Sequence, residues 1–191
     1  MSVDNTNANF TLNNYFEKME TIIRNILSKP ENDILTYDIL DTEKSVKHKL
    51  IALKEKHRQM KIGEIWQEMI GNYDEFINLK NGHETGLDIL SESKKIIIEL
   101  KNRTKTDNHS SKKSNFDKLS KFKKENPEYK CIYATINDNT ERKTMQGYIK
   151  KIIHNDVEIE HYVGYAFLSF IFKENVIDII EFMKNTIDRY T

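Results

Sequence analysis

Apolar side chains in the first third of the chain fall at Leu12, Tyr15, Phe16, Met19, Ile22, Ile23, Ile26 and Leu27. This is the three-and-four spacing of a helix with one buried stripe. Lys29-Pro30 ends that pattern. Asp41-Thr42-Glu43 opens a second helical region, continued by Val46, Leu50, Ile51 and Leu53 toward Met60, and Gly63 is expected to break or kink it. A new stripe of Ile62, Ile65, Trp66, Met69 and Ile70 then stops at Gly71-Asn72. Glu64 and Glu68, one turn apart, lie together on the side away from that stripe.

The pattern next changes period. Phe76 to Leu79 reads as a short strand, and Asn81-Gly82 is a strong turn signal. Ile89-Leu90 and residues 95–100 read as two strands, with Ser91-Glu92-Ser93 turning the chain between them. Residues 102–114, rich in Asn, Ser, Thr and Lys without an apolar anchor, read as a loop or a disordered run. Phe116, Leu119 and Phe122 give a short amphipathic helix stopped by Asn126-Pro127, and residues 129–136 form a buried strand. A strand, a crossover helix and a second strand make a right-handed parallel connection, so residues 129–136 should lie beside the Glu99 strand. Residues 144–153 and 157–163 read as two further strands, and two apolar helices follow Gly164.

The expected fold class is therefore α/β with a mixed sheet in one domain, 1–191. Its core, about residues 61–137, runs helix, three strands, helix, strand, with helical additions on both sides. A chain of 191 residues is long enough to bury such a core. The single cysteine, Cys131, excludes a disulfide framework and sits in an apolar run as a core residue. No stretch has the length or composition of a membrane span or a leader segment, which points to a soluble, cytoplasmic protein.

Net charge is zero, with 30 Lys and Arg against 30 Asp and Glu, but its distribution is uneven. Residues 94–130 carry 12 Lys or Arg and 5 Asp or Glu, whereas residues 1–43 carry 3 and 8. The basic charge is concentrated just behind the hairpin, as a phosphate-binding face requires. A lysine-rich solvated helix gives the same composition.

The hairpin itself carries the candidate chemistry. In a strand, residues two apart share a face, so Glu99 and Lys101 point one way and Leu100 the other. A hairpin closed at the serines puts Asp88 across from Glu99, where the two carboxylates can converge on one metal ion such as Mg²⁺. Asp88 followed by Glu99-x-Lys101 resembles the PD-(D/E)XK nuclease core, and with Asn102-Arg103-Thr104 and the Ser/Lys-rich run beyond it most resembles type II restriction endonucleases. That family's proline before the aspartate is replaced here by Leu87.

The resemblance implies a restriction-endonuclease-like fold. It implies a Mg²⁺-dependent enzyme that hydrolyses phosphodiester bonds in double-stranded DNA at a specific sequence, acting as a homodimer without a nucleotide cofactor. Asp88 and Glu99 would hold the metal, with the Leu100 carbonyl as a neutral ligand and Glu64 as a helical acid, while Lys101 would act on the attacking water or the transition state. Asn102, Arg103, Asn108, Ser110, Ser111, Lys112 and Lys113 have side chains suited to base edges and phosphates, and a solubilising loop accounts for the same cluster. A short GC-rich palindrome such as GGNCC is the target the resemblance suggests. The alternatives are a repair or junction-resolving nuclease on the same core, and a DNA-binding module without catalysis.

Overall fold

The computed structural model describes residues 10–31, 34–103, 109–137 and 147–191. Its elements, in order, are α1 (Leu12–Leu27), α2 (Glu43–Gly71), β1 (Ile77–Asn78), β2 (Ile89–Ser91), β3 (Ile96–Arg103), α3 (His109–Glu125), β4 (Lys130–Asn137), β5 (Tyr148–His154), β6 (Val157–Val163), α4 (Tyr165–Phe172) and α5 (Val176–Tyr190). The six strands form one mixed sheet in the order β1-β2-β3-β4-β6-β5. β3 and β4 are parallel, as the crossover helix demands, and so are β4 and β6. The remaining neighbours are antiparallel.

Alternate residues of the strands feed two separate apolar layers. Ile96, Ile98, Leu100, Ile132, Ala134 and Ile136 pack beneath α1, α2, α4 and α5. Ile97, Cys131 and Ile159 face the other way, onto Phe116 and Leu119 of α3. Phe16 of α1 stacks on Phe182 of α5 at 4.3 Å between centroids. Tyr15, buried, donates its hydroxyl to the Met69 carbonyl at 2.6 Å and ties α1 to α2.

Two sequence expectations need correction. Gly63 does not break a helix: α2 is continuous over 29 residues. A glycine inside a helix costs only about 1 kcal/mol, and the capping box at Thr42 and Ser45 together with the buried Ile65, Trp66, Met69 and Ile70 outweigh it. Likewise the polar run after Lys101 is not a loop throughout. Asn102 and Arg103 complete β3, and Ser110, Ser111, Lys112 and Lys113 belong to the first turns of α3. Residues 104–108, Asn108 among them, and residues 144–146, expected to open β5, lie outside the described residues.

Gly71 has a specific task at the end of α2. A Cβ there would stand 2.4 Å from Asn78 Cβ and 2.5 Å from its backbone nitrogen. Only a residue without a side chain lets the helix pass so close to β1.

Candidate active site

β2 and β3 are joined by a turn over residues 92–95, one residue later than the three polar residues alone suggested. The register is nonetheless the expected one. Ile89 pairs with Ile98, and the Asp88 N–H donates to the Ile98 carbonyl at 3.1 Å, which places Asp88 opposite Glu99. β2 begins only at Ile89, so the Asp88 side chain sits at the strand's edge rather than within the ladder. Its Oδ2 accepts the Leu100 N–H at 2.7 Å, and its Oδ1 accepts the side-chain amide of Gln67 at 3.2 Å. One helix residue and one strand N–H thus fix the orientation of the carboxylate.

Glu99 lies on the α3 face of β3 and is 3% exposed. Its Oε1 meets Lys101 Nζ at 2.7 Å, and its Oε2 is buried with no hydrogen-bond partner among the described residues. Burial, and then the neighbouring charge of Asp88, push its carboxyl above the usual range; Lys101 and, more weakly, Lys118 pull it back. A buried carboxylate oxygen without a donor is costly unless a cation completes it.

Lys118 did not stand out in the sequence, where it is one lysine among many on a helix. In the structure it reaches across from α3 and donates to the Gly86 carbonyl at 3.1 Å. Gly86 has φ of +62°, and a Cβ there would press on the Lys118 side chain at 3.3 Å. The backbone turn two residues before Asp88 is therefore held by a cation whose field also reaches Glu99. A row of polar groups continues the site across the sheet. Glu99 is in register with Tyr133, and Tyr133 with His161. His161 is buried, with Nε2 at 3.1 Å from Thr135 Oγ1.

Glu64 is engaged elsewhere, in an ion pair with Lys29, and Glu68 pairs with Lys80. Among the described residues no group of three or more His, Cys, Asp or Glu is placed to hold a metal ion. The α2 side chain at Asp88 is Gln67, a neutral amide. Of the other candidates, Asn102 donates its amide to the Gln59 carbonyl at 3.3 Å, and Arg103 meets Glu55 at 3.3 Å. Ser110, Ser111, Lys112 and Lys113 are exposed on α3. Because α3 is the crossover between two parallel strands, it runs opposite to them. Its positive end therefore lies at the edge of the sheet that carries Lys101.

No helix among the described residues is long and apolar enough to cross a membrane. No curated protein and no solved structure matches the chain. Residues 18–178 match the family model described as Eco47II restriction endonuclease, and that span covers the whole sheet and the acid pair. The chain belongs to the Eco47II restriction endonuclease family.

Proposed function

We propose that this protein is a Mg²⁺-dependent, sequence-specific type II restriction endonuclease, cutting double-stranded DNA with Asp88, Glu99 and Lys101. The observation that carries the reading is Glu99. It is buried, is opposed by Asp88 across the hairpin, is met by Lys101 on one oxygen, and keeps the other oxygen unmatched. Two hard oxygen ligands, with one buried carboxylate oxygen lacking a donor, fit a divalent cation held with water in its remaining positions. The Leu100 carbonyl leaves β3 on the same side as the N–H that reaches Asp88, so it is the natural third ligand. A divalent cation there supplies Lewis acidity, activating water and neutralising charge as the phosphate is attacked.

The chain's own groups do the rest. Lys101, a compact ammonium beside Glu99, orients the attacking water and offsets the growing negative charge on the phosphate oxygens. Gln67 and the Leu100 N–H hold Asp88 in one orientation, which keeps the site ordered before substrate arrives. No side chain needs to act as a nucleophile, so hydrolysis is direct. Cutting both strands of a palindrome, GGNCC or one like it, calls for two such sites, hence a homodimer.

The test is digestion of a sequenced plasmid with and without Mg²⁺, followed by mapping of the ends. Discrete fragments with a common end sequence support the reading. Cutting only at mismatches or junctions would make the protein a repair or resolving nuclease, and binding without any cutting would make it a DNA-binding module.

A further inference from the structure

α2 runs opposite to β3. Gln67 bonds to Asp88, Gln59 meets Asn102, and Glu55 meets Arg103, the last residue of the strand. All of α2 before Glu55, about three turns and about 18 Å, therefore extends past the edge of the sheet that carries the acid pair. Before Lys61, only His57 of this helix is buried. Residues 43–61 carry seven Lys or Arg against two Glu.

The charge is not spread evenly around the helix. At 3.6 residues per turn, Lys44, Lys47, Lys54 and Arg58 share one side. It is the same side on which Ile62, Ile65 and Met69 enter the core further along. The side that meets the body in the second half of the helix thus overhangs the sheet edge as a basic stripe in the first half. Lys44, Lys47 and Lys54 make no hydrogen bond or ion pair among the described residues. Most of the nearby acid is spent: Asp41 bonds to Lys49 at 2.7 Å, and Glu55 to Gln59 at 2.8 Å, to Arg103, and to Arg58 of the stripe itself at 3.9 Å. Asp38 and Glu43 lie beside Lys47 near the start of the helix and weaken the stripe there.

We infer that the protruding half of α2 is an arm that tracks the sugar-phosphate backbone of duplex DNA, through Lys44, Lys47 and Lys54, while the scissile phosphate sits at Glu99 and Lys101. The inference rests on the nuclease reading above and adds to it the surface that holds the substrate. Charge selects the partner. Leu50 and Ile51 are exposed along the arm, but docking a second copy's arm against it would oppose lysine to lysine, whereas a phosphate backbone complements the stripe. Position supports the same choice. The arm lies on the α2 face of the sheet and the first turns of α3, with Lys112 and Lys113, lie on the other. A duplex seated at the shared edge would be flanked from both sides.

The experiment compares the wild-type chain with Lys44→Gln/Lys47→Gln/Lys54→Gln and with a control triple, Lys18→Gln/Lys173→Gln/Lys184→Gln, whose lysines are exposed on α1, after α4 and on α5. Binding of a mixed-sequence duplex of about 30 base pairs is measured by fluorescence anisotropy in EDTA across about 50 to 200 mM salt. The arm variant should lose at least about tenfold in affinity, and its log–log salt slope should flatten by about two to three, since each phosphate contact contributes about 0.9. The control should match wild type, and circular dichroism should show both variants folded.

An arm variant that binds with wild-type affinity and slope overturns the inference alone. So does one whose oligomeric state changes in sedimentation while DNA binding does not, because the arm would then face another copy. A wild-type protein that neither binds nor cuts the duplex removes the nuclease reading together with this one.

Discussion

The two faces of β3, β4 and β6 are built from alternate residues of the same strands, and they behave differently. Beneath α1, α2, α4 and α5 the middle of the face is apolar, through Ile96, Ile98 and Leu100 on β3 and Ile132, Ala134 and Ile136 on β4, with polar groups such as the Lys130–Glu160 pair toward its margin. Beneath α3 it begins the same way, with Ile97, Cys131 and Ile159, and then turns polar at Glu99, Tyr133 and His161. The first face supplies stability by removing apolar surface from water. The second uses the rigidity so gained to hold an acid where it is electrostatically unwelcome. A site of this kind needs both, since a loosely held strand would let Glu99 swing out to solvent.

The sharpest way to test that contrast is Glu99→Gln. On the nuclease reading, single-turnover cleavage should fall at least about a thousandfold, equivalent to about 4 kcal/mol in the barrier. The metal-free protein should melt no lower than wild type, and up to a few degrees higher, because a buried carboxylate repelled by Asp88 has been neutralised. Added Mg²⁺ should raise the melting temperature of wild type more than that of the variant. A variant that is both active and destabilised would break the comparison.

Its counterpart on the other face is Ile98→Ala, one residue away and fully buried. Urea unfolding should show a loss of about 2 to 4 kcal/mol, with cleavage per folded molecule nearly unchanged at low temperature. Should the loss be under about 1 kcal/mol, the claim that this face carries the fold is wrong.

Lys118→Met should lower single-turnover cleavage by about tenfold, within the range for a charged hydrogen bond at 1.5 to 3 kcal/mol, with little effect on melting. Lys118→Arg keeps the charge and should recover part of that loss. A structural role would instead show as a lower melting temperature in both variants.

The smallest effect belongs to neither face. Asp41 is held down to about 2 by the Asp38 N–H and by Lys49. A carboxyl lowered on folding stabilises the folded form above its unfolded value of 3.8, and that contribution is lost as pH falls toward 2. Acid should therefore loosen the first turns of α2 before either layer of the sheet, as followed by amide exchange, and Asp41→Asn should remove that pH dependence.

The parts of this arrangement legible in the sequence are those set by local rules. Period-two alternation put Glu99 and Lys101 on one side with Leu100 on the other, and a turn near the serines fixed Asp88 opposite Glu99. The strand–helix–strand succession gave β4 its parallel place. What stayed hidden depends on how helices dock. Gly63 read as a breaker because its cost is local, whereas what holds α2 together is packing at Ile65, Trp66 and Met69. Gln67, rather than Glu64, meets Asp88 because the docking angle of α2 decides which residue of the turn faces the hairpin. Lys118 is indistinguishable from Lys121 or Lys124 until α3 is laid on the sheet. His161 gave no signal because its partner, Thr135, is on another strand.

The stacking of Phe16 on Phe182 also has a consequence for the order of events in folding. The β2–β3 hairpin closes through a four-residue turn, a microsecond process. The α1–α5 contact, by contrast, joins Glu20 to Arg189 across 169 residues, and closure over such a separation delays the contacts that reward it. Asp88 and Glu99 should therefore be brought face to face early, in a strand still open to water, with the apolar layer that locks the strand completed last. Refolding followed at Trp66, in that layer, should lag behind hydrogen-exchange protection of the Asp88 and Leu100 amides; simultaneous protection would show that the sheet and its helices condense in one step.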